Sequence, residues 1–200
     1  MSYSHARRAP VGVEAVRARE GVDVQGGLPS TYYETPKFFF TKCVEAYGPF
    51  DLDAAANQEN KKCENYLTES DNALDWNKSW NDYLIPPLIK SYQKKIWLNP
   101  PWGPSDLIFP WVRKAVKEIQ ATNSISVICL LLPWGRWAKW HEFIIPQAEM
   151  VRVVGRIPFL LAGELIKSPP ACNMVAILRE PIDGMKWPTG FAGATIDGRK

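Results

Sequence analysis

The sequence predicts an α/β protein built around a single doubly wound, mostly parallel sheet. Short apolar runs alternate with amphipathic segments of helical spacing, as strands and crossover helices do in such a sheet. The chain has 200 residues, of which 46% are hydrophobic and 22% are charged, enough to bury one sizeable core. This composition excludes collagen-like, low-complexity and wholly disordered proteins.

The chain begins with a segment, residues 1–29, that has no sustained apolar period and that we expect to be a disordered leader. A first helix is predicted to follow, with Thr35 as its cap, Pro36 in its first helical position and Gly48 as its end. Its apolar side chains recur at helical spacing at Phe39, Phe40, Cys43, Val44 and Tyr47.

Five apolar runs predict the strands, and polar residues end the first two. The predicted strands are Phe50–Asp53, Ile96–Asn99, Ile125–Leu132, Met150–Val154 and Met174–Leu178. Two amphipathic helices, Trp111–Ala121 and Ala138–Ile145, are expected to connect the second strand to the third and the third to the fourth. Because ligands bind at the carboxyl ends of strands in such sheets, Asp53 and Asn99 mark one crevice.

Charge is unevenly distributed along the chain. Residues 51–82 hold eight acidic side chains against three lysines, whereas residues 83–200 hold fifteen basic against eight acidic ones. This division favours binding of a cationic small molecule in the acidic region and of a polyanion in the basic one. Solvated surface charge that segregates by chance would give the same pattern. We expect the folded domain to span residues 30–185, with a C-terminal tail at residues 186–200.

The longest apolar run, Ile125–Pro133, is far too short to span a bilayer, and the N-terminus lacks the apolar core of a signal peptide. A cytoplasmic protein with no membrane partner is therefore expected. His5 and His141 suggest no metal site, and no metal is expected. Buried, reduced thiols are expected at the four cysteines, which lack C-x-x-C spacing: Cys43, Cys63, Cys129 and Cys172.

The sharpest local motif is Asn99-Pro100-Pro101-Trp102, which directly follows an apolar strand. An Asn before Pro is driven to extended geometry, and neither proline has an amide hydrogen. The motif therefore predicts a stiff turn that presents the Asn99 side-chain oxygen, the Pro100 carbonyl and the face of Trp102. Two acceptors that hold both hydrogens of a ring-bound amine make its lone pair available, while the aromatic face stacks on the ring.

This motif and others in the same order along residues 31–180 resemble the phage-type, Dam-like family of DNA N6-adenine methyltransferases. The other matching segments are Thr35-Pro36, Asp53-Ala54-Ala55-Ala56 with Asn60, Thr68–Trp76, Leu131-Leu132-Pro133, Gly155–Phe159 and Ser168-Pro169-Pro170. The resemblance implies a Rossmann-like fold and transfer of a methyl group from S-adenosylmethionine to the N6 amino group of adenine in DNA. It implies a phage or prophage origin. Because 200 residues leave little room for a separate target-recognition domain, we expect a site-specific enzyme of short or relaxed sequence specificity.

The resemblance also implies roles for individual residues. Asn99, Pro100, Pro101 and Trp102 would be the catalytic residues. Thr35 and Pro36 would contact the methionine carboxylate of the cofactor, and Asp53 with Ala54 would lie beside its amino-acid portion. Asp71 would accept from the cofactor's adenine, although it could equally cap a turn or helix. The residue for the ribose hydroxyls stays open among Glu59, Asn60 and Glu64.

One departure from many methyltransferases follows the first strand, where Ala54-Ala55-Ala56-Asn57 stands in place of a glycine-rich loop. Alanine does not reach positive φ as freely as glycine, so this loop departs from the usual cofactor-binding pattern of those enzymes. Two alternative functions stay open. One is a non-catalytic DNA-binding relative of the fold, and the other is an N-methyltransferase acting on RNA or on a protein amide.

The stretch after the third predicted strand mixes aromatic and basic side chains, as nucleic-acid-binding surfaces do. Arg136 and Lys139 in this stretch, together with Arg156 after the fourth strand, are the candidate DNA-binding residues. Trp137 and Trp140 could instead pack into the core from one helical face. The tryptophans assigned mainly to packing are Trp76, Trp80, Trp97, Trp111 and Trp187.

Overall fold

The computed structural model describes residues 33–84, 93–102, 105–121, 125–135, 138–161, 163–165 and 172–180. Its central sheet consists of β1 (Leu52–Asp53), β2 (Asn65–Tyr66), β3 (Lys94–Leu98), β4 (Ile125–Pro133), β5 (Met150–Gly155) and β8 (Asn173–Arg179). The strand order across the sheet is β2-β1-β3-β4-β8-β5. A separate hairpin pairs β6 (Leu160–Leu161) with β7 (Glu164–Leu165).

The sheet is mixed but mostly parallel. Strand β1 runs parallel to β2 and β3, and β3 runs parallel to β4. Strand β8 alone is reversed, and it pairs antiparallel with both β4 and β5. The described part of the connection from β5 to β8 is the β6–β7 hairpin and not a crossover helix, which is compatible with a reversed strand.

Helices cover both faces of the sheet, which confirms the predicted doubly wound α/β fold. The helices are α1 (Lys37–Tyr47), α2 (Ser105–Gln120) and α3 (Lys139–Ile144). Alternate residues of β4 divide between two cores, since Ile128 and Leu130 pack with α2 and α3, whereas Cys129 and Leu131 pack with Cys43 of α1. The strand is buried on both faces, which explains its unbroken apolar sequence.

Helix α1 begins differently from the prediction. The residue before its first turn is Pro36, which is extended, so Pro36 is the N-cap rather than the first helical residue. Thr35 is not the cap, because its hydroxyl makes no capping bond. Gly48 does end the helix, in extended geometry, and the close approach of the chain there suits glycine, since a Cβ would lie 2.9 Å from the Cα of Val44.

Helix α2 starts six residues before the predicted Trp111, at Ser105, and contains Pro110 in its second turn. The predicted start is therefore too late, and Pro110 is tolerated inside the helix because it removes only one backbone hydrogen bond near the start. Helix α3 confirms the third predicted helix and continues into a short 3₁₀ turn, Ile145–Gln147.

A buried ion pair joins α2 to the segment before it. Lys114 and Glu118, at 0% and 2% exposure, lie 2.8 Å apart. The Lys114 ammonium also donates to the carbonyls of Asp75 at 2.9 Å and Lys78 at 2.5 Å. The Glu118 carboxylate accepts from the Ser79 hydroxyl at 2.7 Å and from the Trp80 amide at 3.0 Å. The pair is therefore satisfied on both sides, as buried charges must be.

Most predictions for tryptophan and cysteine are confirmed. Trp80, Trp97 and Trp140 are buried, and Trp111 packs against the core. Trp76 differs, because it is 43% exposed and its ring lies against the cations of Arg113 and Lys117. All four cysteines are free, but only Cys43 and Cys129 are buried, while Cys63 and Cys172 are half-buried. Trp137 and Trp187 lie outside the described residues.

Candidate active site

One cleft at the carboxyl edge of the sheet gathers five of the predicted site residues. Thr35, Asp53, Asn99, Pro100 and Pro101 all line it. The other described residues of the lining are Tyr33, Glu34, Ala55, Asn60, Lys62 and Trp97. Parallel pairing brings the ends of β1 and β3 together, as the sequence predicts.

The two polar atoms of the Asn99 side chain differ in their hydrogen bonding. Its amide nitrogen donates to the carbonyl oxygen of Tyr33 at 3.4 Å. Its side-chain oxygen is buried and accepts no hydrogen bond from any residue that the structure describes. A buried acceptor without a donor is costly in a protein unless a ligand supplies the donor. The cleft therefore holds an acceptor suited to an incoming N–H group.

Trp102 does not lie on the described wall of the cleft. Its ring is 5% exposed and packs edge-to-face against Phe159, with 4.8 Å between the ring centroids. A base could stack on its face only if this packing opened. The role of Trp102 as a stacking surface therefore stays a prediction.

Asp53 carries the buried carboxyl group of the cleft. It is 2% exposed and accepts hydrogen bonds from the backbone amides of Lys62 at 3.0 Å and Ala55 at 3.4 Å. Burial raises the pKa of Asp53 to about 7, although these amides and the charge of Lys62 act in the opposite direction. The carboxyl group is thus partly protonated at neutral pH, and a cation beside it would favour the charged form.

The start of α1 presents a second group that lacks a partner. Thr35 is 1% exposed, lines the cleft, and its hydroxyl oxygen has no hydrogen-bond partner among the described residues. The buried Pro36 follows it as the N-cap. A helix N-terminus carries partial positive charge, so an anion at this point would interact with the helix and with the hydroxyl group.

The loop after β1 adopts its path without glycine. Within the described residues, Asn72 is the only non-glycine residue with positive φ, so the loop needs no left-handed residue. Ala54 is fully buried in the core and donates to the Trp97 carbonyl at 3.0 Å, while Ala55 lines the cleft. Asn57 and Asn60 each donate from the backbone to the other's side chain, at 2.8 and 2.9 Å.

The remaining cofactor candidates occupy different positions. Asp71 closes a capping box, because it accepts from the Thr68 amide at 2.8 Å and the Thr68 hydroxyl at 2.7 Å. These bonds hold the pKa of Asp71 below its usual value. Among the three ribose candidates, Asn60 lines the cleft, whereas Glu59 and Glu64 are absent from its described lining.

Two of the candidate DNA-binding residues lie beyond strand ends at this edge. Lys139 is exposed at the start of α3, after β4, and Arg156 is exposed directly after β5. Both strands run in the same direction, because each pairs antiparallel with β8. Arg136 lies outside the described residues.

Four residues of the lining were not predicted as site residues, namely Tyr33, Glu34, Lys62 and Trp97, and Ala55 was indicated only as part of the segment after β1. Tyr33 contributes a carbonyl and Lys62 a backbone amide, and no side-chain pattern marks such contacts. Glu34 could have been suspected, since it precedes Thr35 directly.

No described helix is long and apolar enough to cross a membrane. The same part of the chain contains no group of acidic, His or Cys side chains arranged to hold a metal ion.

The mixed α/β sheet and the polar cleft at its carboxyl edge define a protein of the Rossmann-like methyltransferase fold. Residues 30–189 match the family described as DNA N-6-adenine-methyltransferase (Dam), and the chain belongs to that family.

Two curated relatives are phage proteins named DNA N-6-adenine-methyltransferase. The one from Escherichia phage T1 is 28% identical over 173 residues, which cover 76% of this chain and 64% of the relative. The one from Haemophilus phage HP1 (strain HP1c1) is 25% identical over 133 residues, which cover 64% of this chain and 65% of the relative. The matches thus span slightly less than two thirds of either relative.

Proposed function

We propose that this protein transfers a methyl group from S-adenosylmethionine to the exocyclic N6 amine of adenine in DNA. The observation that carries the proposal is the buried side-chain oxygen of Asn99, which lines the cleft and lacks a donor among the described residues. An amine hydrogen is the partner that this oxygen lacks. Membership of the family supports the same substrate and reaction.

The residues of the cleft fit S-adenosylmethionine. The unpartnered hydroxyl of Thr35 and the start of α1 suit its carboxylate, and the buried carboxyl group of Asp53 suits its ammonium group. Asn60 is the residue of the lining that we assign to the ribose hydroxyls.

When bound, S-adenosylmethionine supplies a methyl group on a positively charged sulfur, so no protein nucleophile is required. The contribution of the chain is orientation. Asn99 accepts one hydrogen of the target amine, and we assign the second to the carbonyl of Pro100. Pro101 keeps the turn rigid because its φ angle is fixed. With both hydrogens held, the nitrogen lone pair is directed away from the acceptors and could attack the methyl carbon as the sulfur–methyl bond breaks. The surplus proton on the nitrogen would then pass to water.

An adenine within a duplex must rotate out of the base stack before its amine reaches the cleft. We assign phosphate contacts to the exposed Lys139 and Arg156, which follow β4 and β5. Because both relatives are phage proteins, we propose that the chain is phage- or prophage-encoded and acts in the bacterial cytoplasm.

The test is incubation of the purified protein with isotope-labelled cofactor and unmethylated DNA, followed by digestion and mass spectrometry of the nucleosides. We expect N6-methyladenine, at a rate that Asn99→Ala lowers at least about a hundredfold, as for loss of other preorganised groups. Asn65→Ala changes an exposed asparagine of β2 and should stay active. Parallel samples of RNA and protein extract separate the alternatives. Label in either of these but not in DNA contradicts the proposal. No label in any sample, together with no heat when S-adenosylmethionine is titrated into the protein at high concentration, would favour a non-catalytic DNA-binding protein.

A further inference from the structure

The orientation of the Asn99 side chain depends on a neighbour that the motif itself does not contain. An asparagine amide has two orientations that exchange its oxygen and nitrogen. Only one of them directs a donor to the Tyr33 carbonyl, 3.4 Å away, and leaves the oxygen without a partner. The carbonyl of Tyr33 therefore selects between an acceptor and a donor at the proposed amine site.

The Tyr33 carbonyl is itself held by the chain that follows β5. Glu34 and Leu160 exchange two backbone hydrogen bonds, of 2.8 and 3.0 Å. One residue earlier on each side, the rings of Tyr33 and Phe159 stack, with centroids 5.9 Å apart and planes inclined at 23°. Backbone pairing and ring stacking thus fix the same short stretch.

The start of the chain that follows β5, near Ile157, is held by a buried asparagine. Asn173, the first residue of β8, is fully buried, and its side-chain oxygen accepts from the Ile157 amide at 2.9 Å. The Phe159 amide then donates to the Ile157 carbonyl at 2.9 Å. This folds the chain tightly, and Phe159 is fully buried between Tyr33 and Trp102.

We propose that Tyr33 and Phe159 are positioning residues, which fix the amide of Asn99 so that its oxygen, and not its nitrogen, meets the target amine. The identity of that amine rests on the proposed function, whereas the orientation of Asn99 does not. The proposal predicts that asparagine functions better than aspartate at position 99. A carboxylate would accept an amine hydrogen equally well, but its second oxygen would face the Tyr33 carbonyl with no hydrogen between them.

The first test is the pH profile of Asn99→Asp at saturating cofactor. At about pH 8 the introduced carboxylate and the Tyr33 carbonyl repel, so kcat should fall at least about tenfold, the effect of roughly one hydrogen bond. On lowering the pH to about 6, the protonated carboxyl group can donate to Tyr33, and kcat should rise towards that of the wild type. The charged groups around it are Glu34, Asp53 and Lys62, all of which the variant shares with the wild type. Wild-type activity at pH 8, or no recovery at lower pH, would overturn the proposal.

The second test does not depend on activity. The side-chain amide signal of Asn99 is identified by nitrogen-15 NMR through its absence in Asn99→Ala, and its hydrogen exchange is measured. Phe159→Leu removes the ring that stacks on Tyr33 and should speed exchange about tenfold. Leu165→Ala, at a 63% exposed residue of β7 in the adjoining hairpin, should leave exchange unchanged.

Thermal melting and calorimetry with S-adenosylhomocysteine establish that each variant is folded and binds ligand. Unchanged exchange in folded Phe159→Leu would refute the positioning role. If Phe159→Leu does not fold, the pH profile of Asn99→Asp decides the question. A wild-type protein that methylates no DNA would refute the proposed function, while the exchange measurement would still test the orientation of Asn99.

Discussion

At the residue scale, the cleft is defined by polar groups that are buried before a ligand arrives. Asn99 and Thr35 each bury an oxygen that no described residue satisfies, and Asp53 buries a carboxyl group. Such groups destabilise the free protein, because each has lost water without a full replacement. Binding that supplies an N–H donor, an anion and a cation would recover this free energy, and the cost in stability is typical of functional sites.

The buried carboxyl group of Asp53 predicts pH-dependent cofactor binding. Because its pKa is about 7, lowering the pH protonates it and removes the charge that the ammonium group of the cofactor needs. Affinity for S-adenosylmethionine should therefore rise more than about tenfold between about pH 5.5 and pH 7. Calorimetry over this range is the measurement. Lys62, Glu34 and Cys63 are its titratable neighbours.

The control for this linkage is Asp53→Asn, which keeps a hydrogen-bond acceptor but cannot ionise. Its affinity should vary much less over the same pH range, and an unchanged slope would contradict the role given to Asp53.

The free energy of unfolding of the same variant tests the direction of the pKa shift of Asp53. A carboxyl group whose pKa is raised in the folded state contributes its full stabilisation when the pH is below its ordinary pKa. This contribution is lost as the pH rises through about 7. Asp53→Asn should thus gain stability relative to the wild type as the pH rises from 5 to about 8.

At the element scale, α2 holds the segment that leads from β2 to β3. The ion pair of Lys114 and Glu118 binds both carbonyls and donors of residues 75–80, so this segment is fastened to the helix by charged groups and not by apolar packing alone. Burial of both partners means that neither can be removed alone without leaving an uncompensated charge.

Replacing Lys114 by methionine should therefore destabilise the protein by about 3–5 kcal/mol, because Glu118 would stay buried without its cation. Urea unfolding measures the change. The matched control is Lys42→Met at an exposed lysine of α1, for which a change within about 0.5 kcal/mol is expected. A loss below about 1 kcal/mol for Lys114→Met would show that the pair contributes little.

The sequence predicts elements where their pattern is long enough to have a period. The runs that form β3, β4 and β8 were predicted to within two residues at either end, because these strands are almost wholly buried and mostly apolar. The half-buried edge strand β5 was predicted to within one residue, from its β-branched residues. Strands β2, β6 and β7 have two residues each, too few for any period, and were missed.

The same limit separates the site residues that could be predicted from those that could not. Asn99 and Asp53 follow apolar runs directly, so their position at a sheet edge follows from the fold class. The carbonyl of Tyr33 and the amide of Lys62 act through the backbone, which every residue type shares. The burial of Trp102 depends on Phe159, which is distant in sequence and reaches it only through tertiary packing.

At the scale of the whole molecule, the functional groups collect at one edge of the sheet. The ends of β1 and β3 supply the cleft, and the chain beyond β4 and β5 supplies exposed cations. Five of the six strands run in the same direction, which is why residues far apart in sequence meet there.

Charge reversal at this edge should weaken DNA binding in a salt-dependent manner. Lys139→Glu and Arg156→Glu should each lower the slope of log affinity against log salt by about one, as expected when a phosphate contact is lost. Fluorescence anisotropy with a labelled duplex at several salt concentrations is the measurement. Lys117→Glu, in the last turn of α2, is the control and should leave the slope unchanged. Equal effects of all three variants would show that net charge, and not this edge, determines binding.

The most direct measurement is a crystal structure of the protein with S-adenosylhomocysteine and a DNA duplex that contains adenine. We expect an adenine outside the base stack, with its N6 atom within about 3 Å of the Asn99 side-chain oxygen, and a ligand carboxylate beside Thr35. An adenine that remains stacked in the duplex, or a ligand bound away from Asp53 and Asn99, would contradict this expectation.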